Sequence, residues 1–298
     1  MNLPIAATNS GNCSGKIKHF NLNIGPHDAR VFYSPQEPYI IYGSQSTYSC
    51  FGQWMQDFRL LVDWPKAPFT NISFRHATDL QRPPPYSTIE KNWFLFWDTS
   101  GDSYVHYDVA PQRMFAKLNA DGSVGEDLAP AAKSKDDVCM QKHMPKVSPA
   151  LPESIHQATN SLSVTLCNRN EPGCNFADTY ILTIIQHKSY YSFHSVYEPY
   201  VMLFKQDAPF ELHGISSRPF WIRGRGTAGE KRPSYVAVDA PWNQTEMFYV
   251  TSMSWKGQGH KYLDNELFVA FGIEDSDTAG IDIKAADLLT GLALCDEV

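Results

Sequence analysis

Three short segments place carboxylates beside cations or amides, each directly ahead of an apolar run. Residues 25–30, read G-P-H-D-A-R, hold His27, Asp28 and Arg30. Residues 90–93, read E-K-N-W, hold Glu90, Lys91, Asn92 and Trp93. Residues 262–266, read Y-L-D-N-E, hold Asp264 and Glu266. A carboxylate at such a position can exchange a proton with a bound molecule. An acid or base within hydrogen-bond reach of a reacting atom is typically worth about 10²–10⁴ in rate. A charged turn entering a strand explains any one of these segments; three together point to a site. Asp28, Glu90 and Asp264 are the candidate catalytic carboxylates.

The elements that must position these groups are strands. Apolar and aromatic runs of four to eight residues recur at 30–34, 39–43, 93–98, 104–109, 162–167, 180–186, 201–205, 220–224, 235–239, 247–252 and 267–273. Each is bounded by Pro, Gly, Asp or Asn, the pattern of strands and turns. Long helical periodicity is absent, and one short helix is predicted over 285–293, with Leu288, Leu289 and Leu292 on one face. Regularly spaced short strands imply a sandwich, barrel or propeller, and five blades at roughly 40–60 residues each would use the chain. The expectation is all-β: a single five-bladed β-propeller domain over 1–298, with a long loop or insertion at about 120–161. In a propeller the innermost strands line a central channel, so polar groups at their mouths would converge on one pocket.

Composition narrows the function classes. Of the 298 residues, 43% are hydrophobic, enough for a large core, and the net charge of −7 comes with no basic run. A nucleic-acid partner is therefore not expected. No stretch approaches the ~18 apolar residues of a membrane helix. Residues 1–10 lack the basic and apolar regions of a signal peptide, although a start on a trimmed chain would hide a lost leader or anchor. Six cysteines permit fifteen connectivities. Cys167 and Cys174 flank a polar Pro-Gly turn, so a local disulfide between them is expected. None are spaced C-x-x-C, which argues against zinc. Sequons occur at Asn12, Asn71 and Asn243. Cysteines and sequons together favour the secretory route.

Two other motifs have simpler readings. Residues 224–229 match G-x-G-x-x-G, but Pro233 and a predicted strand follow where a dinucleotide site needs a helix. Asp275-Ser276-Asp277 could share a hard cation, yet it follows a predicted strand and reads as a polar turn. No metal is expected.

G-P-H-D-A-R-V-F resembles the G-x-E-D-x-R motif of the five-bladed propeller mannoside phosphorylases and hydrolases, with His27 in place of their Glu. E-K-N-W-F-L-F is similar to the E-K-N-W segment of the same group. Residues 210–216, 249–254 and 263–275 resemble the fungal β-1,2-mannosyltransferases, secretory-pathway enzymes related to that group. The resemblance implies an inverting mannosyl transfer from a sugar nucleotide such as GDP-mannose to a mannoside acceptor, with no further cofactor, in the Golgi lumen or outside the cell. It implies that Asp28 exchanges a proton with a sugar oxygen while Arg30, Arg59, Lys91 and Arg113 hold the leaving nucleotide. Asn92 and His213 would bond sugar hydroxyls, and Trp93, Trp97 and Tyr107 would stack on sugar faces. His27, Glu266 and Asp275 complete the expected substrate contacts. A glycoside hydrolase or phosphorylase acting on β-mannosides is the alternative within enzymes. A lectin is the alternative outside them, disfavoured because the three polar segments are not repeats of one another.

Overall fold

β-branched and aromatic runs bury best when they pair, and the regular structure of the described residues is mostly β-sheet, with few helices. The computed structural model describes residues 5, 8, 12–22, 25–62, 73–191, 194–237, 242–257 and 261–296. The chain divides into two compact units, Met1–Ala131 and Ala132–Val298.

In the first unit, β1 (His27–Tyr33), β2 (Pro38–Gln45), β3 (Phe51–Asp57) and β4 (Thr78–Asp79) form one antiparallel sheet in that order. Every residue of β2 is buried, as its unbroken Tyr-Ile-Ile-Tyr run demands. A second sheet joins β5 (Phe94–Trp97), β6 (Ser103–Asp108) and β7 (Met114–Lys117). Phe94, Leu95, Phe96 and Trp97 of β5 are all buried; burying each such side chain is worth about 1.5–3 kcal/mol. This strand anchors the residues that precede it.

The second unit begins with a helix, α1 (Lys133–His143), inside the stretch expected to be a loop. Five of its eleven residues are charged and its few apolar ones, Val138, Cys139 and Met140, are consecutive, so no apolar stripe announces it. It is fastened instead by polar and covalent links: Asp136 Oδ1 accepts from Leu212 N at 2.8 Å, and Cys139 is bridged to Cys295. The main sheet of this unit contains β8 (Glu153–Gln157), β9 (Leu162–Thr165), β10 (Thr179–Tyr191), β11 (His194–Lys205), β12 (Leu212–Ser216) and β16 (Leu292–Leu294). β10 is long enough to pair with β9 along its first four residues and with β8 further on. A separate three-stranded sheet holds β13 (Phe248–Trp255), β14 (Glu266–Ile273) and β15 (Asp277–Lys284). Its inner face packs Val250, Met253, Leu267, Val269 and Phe271 into a core shared with Leu182, Ile184 and Leu203. The predicted C-terminal helix shrinks to α2 (Ala285–Leu288), because the chain returns to pair as β16.

Four antiparallel sheets are thus present among the described residues. The predicted strands at 220–224 and 235–239 are absent as far as they are described: 220–237 runs as turns and unpaired chain, and 238–239 lie outside the described residues. Three disulfides link Cys13 to Cys50, Cys139 to Cys295, and Cys167 to Cys174. The third is the one expected from the Pro-Gly turn. Three bridges fit an extracellular or secreted protein. No described helix is long and apolar enough to cross a membrane.

Candidate functional site

Two of the three polar segments meet in the first unit. The register of β1 against β2 shifts between His27 and Arg30, so the strand bulges at Asp28. Asp28 takes φ 53°, the left-handed region, which Asp tolerates better than most residues. The bulge turns the Arg30 side chain inward, where it is buried. Arg30 Nη1 donates to Asp28 O at 3.2 Å, and Nη2 donates to Asn92 Oδ1 at 3.2 Å. Asp28 itself stays half exposed, with Lys91 Nζ 3.8 Å from its Oδ2.

Asn92 is also left-handed, at φ 62°. Arg30 thus joins two residues of bent backbone, through the carbonyl of Asp28 and the side chain of Asn92. The geometry rests on Glu90, which is only 7% exposed. Its Oε1 accepts from Ser87 N at 2.8 Å, its Oε2 accepts from Trp93 Nε1 at 3.3 Å, and Arg82 Nη1 stands 3.5 Å away. Glu90 N donates to Phe51 O at 2.8 Å, tying the turn to β3. Burial pushes the Glu90 carboxyl above the ordinary glutamate range; the Ser87 N–H and the Arg82 cation oppose this in part. Arg82 also pairs with Asp108 at 2.8 Å and lies over the Tyr107 ring, 4.4 Å from its centroid. Burial pushes the Tyr107 hydroxyl up to about 12.

The chemistry of this arrangement is asymmetric. Asp28 is accessible and faces an exposed ammonium. Glu90 is enclosed by three partners and serves as the anchor that presents Lys91 and Asn92. A proton-transfer role thus suits Asp28, and a positioning role suits Glu90. Trp93 and Tyr107 were expected to stack on sugar; both are buried, at 1% and 4% exposure, and belong to the core, as does Trp97. His27 is exposed, its ring 5.9 Å from that of Phe51.

The remaining candidates have local tasks. Arg59 is held by Asp57, with Nε 3.0 Å from Oδ1, and lies near Glu37. Arg113 Nε donates to His106 Nε2 at 3.2 Å, and its guanidinium covers Phe115. In the second unit, Asp264 Oδ1 accepts from Arg169 N at 3.0 Å, and Arg169 Nη2 donates to Asn265 Oδ1. The disulfide-closed 167–174 loop thus clasps the third polar segment. Glu266 pairs with Lys256 at 3.7 Å on the exposed end of β14. His213 stacks on Tyr180, with centroids 4.1 Å apart, and burial lowers its pKa. Asp275 sits left-handed in the turn between β14 and β15. Among the described residues no three His, Cys, Asp or Glu side chains group as a metal site. In the glycine motif, Gly226 N donates to Glu246 Oε2 at 2.8 Å, the place a phosphate would need.

Sequence reasoning missed Arg82, which joins Glu90 to Asp108, and a cluster of the buried His194 with the exposed Tyr235 and the half-buried Glu274. His194 Nδ1 lies 3.2 Å from the Tyr235 hydroxyl, which donates to Glu274 Oε2 at 2.7 Å. These residues come from three distant stretches and carry no motif, so only the folded chain reveals them.

No protein-family model matches the chain, and no curated protein matches it. Solved structures do. One, a glycosyl hydrolase from Bacteroides ovatus, is 12% identical with a TM-score of 0.46; the match covers 88% of this chain and 66% of that one. A second comes from the GH130 family of mannoside phosphorylases, which contains glycoside hydrolases that target β-1,2 mannosidic linkages in Candida mannan; identity is 12%, the TM-score 0.43, and coverage again 88% and 66%. An endo-arabinase from Bacteroides thetaiotaomicron is 10% identical with a TM-score of 0.38, over 86% of this chain and 73% of that one. The chain thus spans just under two thirds of the length of the first two. The expectation of a sugar-nucleotide transferase is overturned. These similar structures are hydrolases and phosphorylases, and two of the four cations assigned to a leaving nucleotide are otherwise engaged, Arg59 by Asp57 and Arg113 by His106.

Proposed function

We propose that the chain is a carbohydrate-active enzyme that cleaves a glycosidic bond, with Asp28 as its proton donor and inorganic phosphate as the attacking group. The observation that carries this reading is the contrast between two carboxylates. Asp28 is half exposed and 3.8 Å from the Lys91 ammonium, whereas Glu90, in the facing turn, is buried and fully committed. A hydrolase normally needs two working carboxylates, one of them to activate water or attack the sugar. A phosphorylase can work with one, because phosphate is itself the nucleophile.

In this reading Lys91 holds phosphate oxygens as a point charge. Phosphate attacks the anomeric carbon as the bond to the leaving oxygen breaks. The Asp28 carboxyl gives its proton to that oxygen, and the products are a sugar 1-phosphate and a shortened glycan. Arg30 fixes the Asp28 backbone and the Asn92 side chain at once. The substrate class is a β-mannoside, as the G-x-x-D-x-R and E-K-N-W resemblance implies. The fold proposed is the five-bladed propeller of that group, supported by the antiparallel sheets of both units. The setting proposed is the lumen of the secretory pathway or outside the cell, supported by the three disulfides.

The test is product analysis with β-1,2-mannobiose in the presence and absence of phosphate. Phosphate-dependent formation of mannose 1-phosphate is the expected result. Free mannose released at the same rate without phosphate would replace phosphorolysis by hydrolysis, and binding without turnover would make the chain a lectin.

A further inference from the structure

Of the three sequons, Asn71 lies outside the described residues, and the other two are both exposed but differ in what engages the side-chain amide. The Asn12 amide nitrogen donates to Ser46 O at 3.0 Å and to Thr47 O at 3.4 Å. The next residue, Cys13, is bridged to Cys50. An amide nitrogen that carries a sugar keeps a single N–H. A glycan on Asn12 would therefore remove one of these two bonds and force a saccharide against the backbone at 46–47.

Asn243 is exposed, and no hydrogen bond engages its side chain among the described residues. Its neighbours are pinned. Trp242 Nε1 donates to Lys231 O at 2.7 Å, and the Trp242 ring meets His194 edge-on, with centroids 4.8 Å apart. Gln244 O accepts from Gly229 N at 3.1 Å. Thr245 O lies 3.1 Å from His194 Nε2, which must be its donor. Residues 242–247 pair with no strand. The sequon Asn243-Gln244-Thr245 is thus held by its flanks, with the acceptor residue exposed.

We infer that Asn243 is an N-glycosylation site of this protein and that Asn12 is not. The co-reactant is a lipid-pyrophosphate-linked oligosaccharide of an oxidising lumen, the compartment that three disulfides fit. The Asn243 Nδ2–C1 bond forms and the bond from C1 to the pyrophosphate oxygen breaks. The amide loses one proton, and the lipid pyrophosphate leaves with the bonding electrons.

The experiment is to produce the full chain through a eukaryotic secretory route and map it by mass spectrometry after amidase deglycosylation in heavy-oxygen water. Each formerly occupied Asn becomes a heavy-oxygen Asp. The expected result is a labelled Asp at 243, with position 12 still an unlabelled Asn. Asn243→Gln should reduce the gel mobility shift, and Asn12→Gln should leave it unchanged. Unlabelled Asn at 243 in the recovered protein overturns the inference, and so does label at 12. The occupancy is read on the unmutated chain, so the result stands whether or not either variant folds.

Discussion

Asp28 and Asn92 both hold left-handed backbone conformations, and both are bonded to Arg30. Asn92→Ala would keep a Cβ in that region and remove the acceptor for a buried guanidinium. The loss should be about 1–3 kcal/mol, read as a lower denaturation midpoint. Asn92→Gly, which relieves the backbone, should cost less; an equal or greater cost would show that the conformation stores no strain. Glu90 gives a pH test. Its folded carboxyl is raised above the ordinary 4.5 mainly by burial. The native state therefore holds the proton more tightly than the unfolded chain does. That contribution is full at low pH and is lost as pH climbs from the ordinary value through the folded one. Glu90→Gln cannot ionise, so its melting temperature should fall less steeply across that window than the wild type's. Parallel slopes would remove Glu90 from the pH dependence. At this scale the sequence displayed Asp28, Arg30, Lys91 and Asn92, because each lies in a compact local motif. It concealed Arg82, whose partners Glu90 and Asp108 stand eight and twenty-six residues away.

Strands were legible wherever apolar runs carried them, as in β2, β5 and β14. They failed at 220–224 and in the described part of 235–239, where the chain is fixed by side chains instead of a partner strand. Arg225 there donates to Glu246 O and pairs with Glu198. The α1 helix was invisible for a related reason: an Asp136 hydrogen bond, a Lys135–Glu211 ion pair and a disulfide help hold it, and none of them leaves a periodic trace. Asp136→Ala should leave the buried Leu212 N–H without its acceptor and cost about 1–3 kcal/mol. A stability unchanged within error would mean that the Asp136 bond is dispensable beside the Cys139–Cys295 bridge and the Lys135–Glu211 pair.

The bridges of the whole molecule differ in the lengths of chain they close. Cys139 and Cys295 are 156 residues apart, Cys167 and Cys174 only 7. Loop-closure entropy assigns about 5 kcal/mol to the first and about 2 kcal/mol to the second. Cys139→Ser/Cys295→Ser should therefore lower the melting temperature more than Cys167→Ser/Cys174→Ser. The reverse order would mean that the clasp of Arg169 on Asp264, which the small loop holds in place, stabilises the fold more than the long closure does.

The claim that one accessible carboxylate does the proton chemistry is tested most directly by the turnover number of Asp28→Asn on β-1,2-mannobiose at saturating phosphate, with the melting temperature measured on the same sample. The variant keeps size and most hydrogen bonding but cannot donate a carboxyl proton. The account predicts that kcat falls by about 10² or more while the melting temperature barely moves. A folded Asp28→Asn protein with near-normal kcat would contradict it.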